Sequence, residues 1–587
     1  MDILKILKYL NKKQWMYVGL AIVFIVLLVY LDLKLPDYMS AITTLVETEG
    51  STMPQILEQG AYMLLCALGS MIASIIVGWF AAQVAAGLSR TLREKVYNKT
   101  MDFSLAEINR FSSSSLINRT TNDITQIQNL VSMGLQAIIK APILAIWAIL
   151  KISGKSWQWT TATLVAVIIL VVMLTLTLIF AVPRFSRIQK LTDNLNRVTR
   201  EQLTGIRVVR VFNGEKYQED KFTNANEDLT VNNLVANRIM AIMSPTMTLI
   251  NSGLTLAVYW IGAVMINTAA VDMKLGIFSD MVVFSNYAMQ VIMAFMMLNM
   301  IFILLPRASV SAKRVNEVLD VDISVKDGAG SNPSEKGTLE FKNVSFHYPD
   351  GRDDTLKNIS FRAEKGTTTA FIGSTGSGKS TLLSLIPRLF DCTKGEILVD
   401  GVNVKDYTLK ELRNKIGYIS QKATLFSGTV TSNVSYGDSG KDPVSHDDVV
   451  NAIDISQSAD FVNEMDGTYD ARIAQGGTNV SGGQKQRLTI ARAIARKPEM
   501  LIFDDSFSAL DYKTDKALRT ALDEKQKDVT KIIVGQRIGT IRHADQIVVL
   551  DHGEAVGIGT HDELMQNCPV YQEIANSQLS KEELANA

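Results

Sequence analysis

The chain has 587 residues, too many for one compact domain, and 47% hydrophobic content beside 20% charged residues averages a very apolar part with an ordinary soluble one. The formal net charge of +0 argues against a nucleic-acid partner, which needs a positive surplus on some domain. Cys66, Cys392 and Cys568 show neither disulfide nor zinc-ligand spacing and read as structural thiols in a reducing compartment.

At the N-terminus, Ile3, Leu4, Ile6, Leu7 and Leu10 interleave with Lys5, Lys8, Lys12 and Lys13, which predicts an amphipathic helix on a membrane surface over residues 1–14. A cleaved signal peptide is the alternative, but the next apolar run is long enough to span and has no clear small-residue cleavage site. Apolar stretches able to cross about 30 Å of hydrocarbon begin at Met16, Ala61, Leu135, Thr161, Met247 and Ile277. Six spans put both ends of this part on one side. Basic residues cluster before the first span, between the second and third (Arg90, Arg93, Lys95, Lys99, Arg110, Arg119), and between the fourth and fifth (Arg184 to Arg210). By the positive-inside rule these segments are cytoplasmic, giving a multi-pass protein of the cell membrane with both termini inside. The first outer loop carries Asp37, Glu47, Glu49 and Glu58, while Lys34, Lys151, Lys155 and Lys274 run against the bias.

The internal segments 88–133 and 183–245 are long and polar, so they are expected to extend the spans as helices, with Pro183 and Pro245 near the membrane ends. The sixth span carries Met289, Met293, Met296, Met297 and Met300 with Phe295, Asn286, Gln290 and Asn299. Methionine suits a surface that accepts varied apolar ligands; packing against lipid or neighbouring helices explains the same residues equally well. After Pro306 the periodic apolar pattern ends, and the polar run 325–337 reads as a linker.

Beyond it lies a soluble α/β domain. Gly373 to Ser380 (GSTGSGKS) follows a strand-like run, Thr368 to Ile372, and precedes a helix-like run, Thr381 to Leu389. That is the context of a phosphate loop. Its candidate ATP contacts are Gly373, Ser374, Thr375, Gly376, Ser377, Gly378, Lys379, Ser380 and Thr381, with Lys379 on the β and γ phosphates and Ser380 on Mg²⁺. Met500 to Asp504 (MLIFD) is an apolar strand whose terminal carboxylate suits the hydrated Mg²⁺. No histidine precedes His347, and Asp32 and Asp280 fall close to span ends, so a proton relay has little support and ATP is the better energy source.

Val480 to Arg487 (VSGGQKQR) matches the ABC signature, and with the six spans and intracellular extensions the chain resembles ABC exporter half-transporters of the type IV, multidrug-resistance kind. The resemblance implies an α-helical six-span transmembrane domain (15–320), a linker (321–338), an α/β P-loop (RecA-like) nucleotide-binding domain (339–575) and a polar tail (576–587). It implies that turns near Glu107 to Leu116 and Phe212 to Asp220 are coupling helices. It further implies that Tyr348 stacks on adenine and that Gln421 senses Mg²⁺. Ser481, Gly482, Gly483 and Gln484 would meet the nucleotide on a partner's phosphate loop across a head-to-tail dimer, while Ser508 to Asp511 joins the two sites.

Two positions depart from the family. Where the family has a glutamate that polarises the attacking water stands Asp505, one methylene shorter, and where it has a histidine stands Gln536, which cannot become a cation. Either change alone is compatible with neutral drift; both in one site point to impaired hydrolysis. Together with Gln475 and the intact signature they resemble the degenerate-site subunit of the heterodimeric multidrug exporters of Gram-positive bacteria. The implied partner is a second half-transporter with the consensus Glu and His, and the implied cargo is amphipathic small molecules. Lipid flipping or peptide secretion on the same architecture is the alternative. A regulatory ATP-binding sensor is disfavoured by the intact signature and coupling segments.

Overall fold

The computed structural model describes residues 2–48, 50–153, 156–330, 333–349, 351–438 and 440–578. Glu49, Lys155, the side chains of Glu47, Asn299 and Met300, and residues 579–587 of the expected tail lie outside it. The chain divides into two compact units, one of residues 1–99 and 114–320, the other of residues 100–113 and 321–587.

The first unit is helical. Its elements are α1 (Asp2–Leu7), α2 (Lys12–Glu47) and α3 (Met53–Met101), and later α5 (Ser113–Asn118), α6 (Ile124–Ser153), α7 (Trp157–Thr204), α8 (Ile206–Val211), α9 (Glu215–Ala241), α10 (Met243–Thr268) and α11 (Val271–Leu319); the intervening α4 (Leu105–Phe111) clusters with the second unit. Among the described residues, six helical stretches are long and apolar enough to cross a membrane. Ile25 and Val29 of α2, Leu144 and Ala148 of α6, Leu170 of α7, Val258 of α10 and Phe284 and Val291 of α11 share one buried core. Trp159 is buried in it and donates its indole N–H to Val258 O at 3.1 Å. By contrast Leu64, Leu65 and Ile75 of α3 are more than half exposed, an apolar surface that water would penalise and hydrocarbon accepts.

The helix α11 does not stop near Pro306, as the fading apolar pattern suggests. It runs to Leu319, and Ala308, Ala312, Val315 and Val318 keep a buried helical stripe beyond the proline. A π-helical turn, Arg119–Asp123, opens α6 against this end of α11: Arg119 donates to Arg314 O at 2.6 Å and to Glu317 at 3.0 Å, and Ser311 donates to Asp123 at 2.9 Å. The short α1 also docks there, with Ile6 fully buried, Lys5 paired to Asp320 at 2.9 Å, and Asn316 donating to Asp2 O. Leu4, in contrast, faces outward, so only part of the amphipathic face predicted for residues 1–14 is left for a membrane surface.

Two ion pairs cross between α2 and α6, Asp32 with Lys140 at 3.2 Å and Asp37 with Lys151 at 2.8 Å. Ser70 of α3 donates to Asp32, and Tyr287 of α11 directs its one hydroxyl hydrogen at Asp37, 2.6 Å away, with Leu33 O also within reach at 2.9 Å. Lys140 is a charge within an apolar span that the reading of the sequence passed over.

The second unit is the α/β one. Its strands are β1 (Leu339–Phe346), β2 (Leu356–Ala363), β3 (Thr368–Gly373), β4 (Lys394–Val399), β5 (Val402–Asn403), β6 (Ile416–Ile419), β7 (Gly428–Thr429), β8 (Arg472–Ile473), β9 (Met500–Asp504), β10 (Thr530–Val534), β11 (Gln546–Asp551) and β12 (Glu554–Gly559). A four-stranded antiparallel sheet runs β2-β1-β4-β5, and a six-stranded sheet runs β12-β11-β3-β10-β9-β6, parallel except for β12. The strands of the parallel sheet read as continuous apolar runs because both faces are covered. The short α4 belongs here: Leu105 and Ala106 pack on the core shared by the two sheets.

Candidate nucleotide-binding site

Register in the parallel sheet assembles the site. Val534 pairs with both Phe371 and Asp504, and Ile419 pairs with Phe503, so the carboxyl ends of β3, β10, β9 and β6 stand side by side. Residues just beyond them, Gly373 to Gly378, Gln536, Asp505 and Gln421, therefore meet at one edge, where open α/β sheets bind ligands. After β3 the loop turns into α12 (Lys379–Leu385), with Gly376 at φ 87° and Gly378 at φ 98°. At Gly378 a Cβ would lie 2.7 Å from Leu356, so only glycine allows this turn at the start of the helix.

Ser374, Thr375 and Gly376 are exposed at the loop tip, while Ser377 is buried. Lys379 Nζ donates to Gly373 O at 2.8 Å and Ser374 O at 2.7 Å, and lies 3.3 Å from Ser377 Oγ. Burial holds its ammonium below the usual lysine range, against the pull of Asp505 and Asp504. Ser380 donates to Asp504 Oδ1 at 2.9 Å and Tyr418 to Oδ2 at 3.3 Å; burial pushes the Asp504 carboxyl up in spite of these bonds. The reading of the sequence gave Tyr418 no part, although it stands three residues before Gln421 on the same motif.

Asp505 is buried and adopts φ 49°, a left-handed conformation that Asp tolerates better than most residues with a Cβ. Its Oδ2 accepts from the amides of both Gln536, at 2.7 Å, and Gln421, at 3.3 Å. Ser508 donates to its backbone carbonyl at 2.9 Å. Lys379, Ser380, Gln421, Asp504, Asp505 and Gln536 thus form one connected cluster.

The other candidates lie apart from it. Tyr348 and Thr381 share a hydrogen bond of 2.8 Å, and the Tyr348 ring stands edge-on to Phe346 and Phe390. Ser481 caps the helix Gly482–Ala495 by a reciprocal capping box with Gln484, leaving Ser481 and Gly482 exposed and Gly483 half-buried. No hydrogen bond among the described residues joins this segment to the phosphate loop. Asp511 caps the next helix, Tyr512–Lys525, through Thr514 N at 3.0 Å.

Residues 356–508 match the ABC transporter family and residues 14–295 the ABC transporter transmembrane region. An uncharacterized ABC transporter ATP-binding protein of Mycobacterium bovis is 38% identical over 93% of both chains. The ATP-dependent lipid A-core flippase of Pseudomonas fluorescens is 32% identical over 86% of this chain and 82% of its own. The fold is similar to that of a bacterial Atm1-family ABC exporter with ATP bound, with a TM-score of 0.81 at 23% identity over 96% of this chain and 99% of that one. Six helical stretches long and apolar enough to cross a membrane joined to an α/β ATP-binding domain, and relatives matched along nearly their whole length, make this chain a member of the ABC transporter family, a half-transporter with one transmembrane region and one ATP-hydrolysing domain.

Proposed function

We propose that this chain is one subunit of a heterodimeric exporter of amphipathic small molecules, and that its own phosphate loop binds ATP but hydrolyses it weakly. The observation that carries this is the state of Asp505, whose Oδ2 already accepts two amide hydrogens. An oxygen so engaged, on a side chain one methylene short, is badly placed to take a proton from water. Neither amide donor can supply the cation that a histidine there would bring to the developing charge.

Binding is a separate matter, and the binding groups are present. The backbone of Gly373 to Gly378, with Lys379 and Thr381, offers donors to the phosphates at a helix start. Tyr348 offers a ring face to adenine. The oxygens of Ser380, Asp504 and Gln421 fit Mg²⁺, a hard cation held by few protein ligands, and it would neutralise charge between the β and γ phosphates. The signature residues Ser481, Gly482, Gly483 and Gln484, together with Asp511, would serve the nucleotide of the partner, a second half-transporter with the consensus Glu and His. The basic clusters support a cytoplasmic position for the termini and the cassette. A lipid as cargo is the second reading, favoured by the likeness to lipid A-core flippases.

The test is steady-state ATPase activity of the full chain in liposomes, alone and co-expressed with a candidate partner. The chain alone is expected to turn over at least about 100-fold more slowly, the order of loss that displacing a catalytic group by about 1 Å produces. Comparable rates would refute the impaired site and the heterodimer together.

A further inference from the structure

Asp32 and Lys140 each lie well inside a helical stretch long and apolar enough to cross a membrane, Lys12–Val46 and Ser113–Ser153, so Asp32 is not close to a span end as its place in the sequence suggests; such a placement is costly for an ionisable group and marks functional positions more often than structural ones. Both Asp32 oxygens are engaged, one by Ser70 and one by Lys140. Lys140, with three ammonium hydrogens, donates to Asp32 alone among the described residues.

Next to the pair, Gln290 of α11 donates its amide nitrogen to Asp32 O at 3.4 Å. A carbonyl only accepts, so this bond fixes the amide orientation and turns Oε1 away, where it is buried and has no partner among the described residues. Beside the ion pair the cluster therefore has spare ammonium hydrogens to give and one buried neutral acceptor to fill. On the same helix, Met289 and Met293 stand one turn apart and are 46% and 49% exposed, a flexible apolar flank beside Gln290.

We propose that Lys140 and Gln290 form the head-group site for a lipid-like amphipath whose head carries both an anionic oxygen and an O–H, as a phosphate monoester does. The anionic oxygen takes the remaining Lys140 hydrogens, the O–H donates to Gln290 Oε1, and the chain lies along Met289 and Met293. A lipophilic cation without an O–H would meet the Lys140 charge and leave Gln290 Oε1 unfilled. The inference rests on the reading of the chain as an exporter of amphipaths and names their charge.

The test is equilibrium binding to the purified full chain in detergent, by fluorescence anisotropy of labelled phosphatidic acid and of rhodamine 6G, with phosphatidylcholine as competitor. Lys140→Gln should weaken phosphatidic acid binding about tenfold, as loss of a charge-assisted bond in an apolar setting does, and leave rhodamine 6G unmoved. Lys140→Arg should restore most of it. Asp32→Asn should not weaken it, since it releases Lys140 from its partner. Unchanged phosphatidic acid binding in Lys140→Gln, or an equal loss in Asp32→Asn, overturns the site and leaves the pair a structural tie. If rhodamine 6G binds and phosphatidic acid does not, this inference alone fails; if neither binds, the amphipath-exporter reading fails with it.

Discussion

A Cβ built on Gly483 would meet only Ala509 O, at 3.4 Å, so Gly483→Ala fits the fold and separates bulk from charge. Gly483→Asp instead brings a carboxylate to the face proposed to close on the partner's γ-phosphate, where repulsion is about 4 kcal/mol per unit charge at about 4 Å and an effective dielectric of about 20. Lys379→Ala acts on this chain's own phosphate loop. In the complex with the partner, Gly483→Asp is expected to abolish ATPase activity, Gly483→Ala to keep most of it, and Lys379→Ala to lower it partially by weakening nucleotide binding and closure. Equal losses for Gly483→Asp and Lys379→Ala would show that Asp505 and Gln536 do not mark a weak site. At this scale the sequence was legible where chemistry is local: the glycines, Lys379, Ser380 and Asp504 lie on short motifs that fold into one cluster. Lys140 was not legible. One lysine hardly changes the mean hydropathy of an apolar span, and its partner Asp32 lies 108 residues away on another helix.

The short helix α4 shows what an element can hide. Its N-cap Ser104 and its own Glu107 form a capping box, and Glu107 also accepts from Ser324 N at 3.1 Å, tying the helix to the segment that enters the cassette. Burial pushes the Glu107 carboxyl up, but the Ser104 and Ser324 bonds outweigh it and hold the group below the ordinary glutamate value. A depressed carboxylate stabilises the folded state above its unfolded value, and that contribution is lost as pH falls through its folded value. Glu107→Ala leaves the buried Ser104 N–H without its acceptor, at a local cost of about 1–3 kcal/mol, and releases the exposed Ser324 N–H to water. Limited proteolysis is expected to cut within 104–111 faster in Glu107→Ala at neutral pH. In the wild type, protection should fade only in acid below the glutamate range, and an acid-dependent loss that persists in Glu107→Ala would remove Glu107 as its cause. The capping residues were in plain view in the sequence, yet Ser324 stands 217 residues on, and only tertiary structure brings it to Glu107. The continuation of α11 past Pro306 was missed for a different reason: its buried stripe is built from alanine and valine, too small and too sparse to keep a strong apolar signal.

Over the whole molecule, the architecture was readable because each half carries its own signal, long apolar runs in one and nucleotide motifs in the other. What the partner subunit of the proposed heterodimer would contribute lies outside this chain, whose sequence reaches it only through the groups it leaves wanting. The placement of α4 has a practical consequence for dissection. Residues 100–113 cluster with 321–587, so the chain passes between the two units three times rather than once. A cassette cut out at residue 321 would be an amputated domain. The patch that Leu105 and Ala106 cover would lie bare, and Ser324 N would lose the Glu107 carboxylate. Fragment 321–587 is expected to express poorly or aggregate, and a fusion that restores 100–113 through a flexible tether to recover soluble, monodisperse protein by size-exclusion chromatography. Equal behaviour of the two fragments would show that α4 is a passenger on the cassette and no part of its fold.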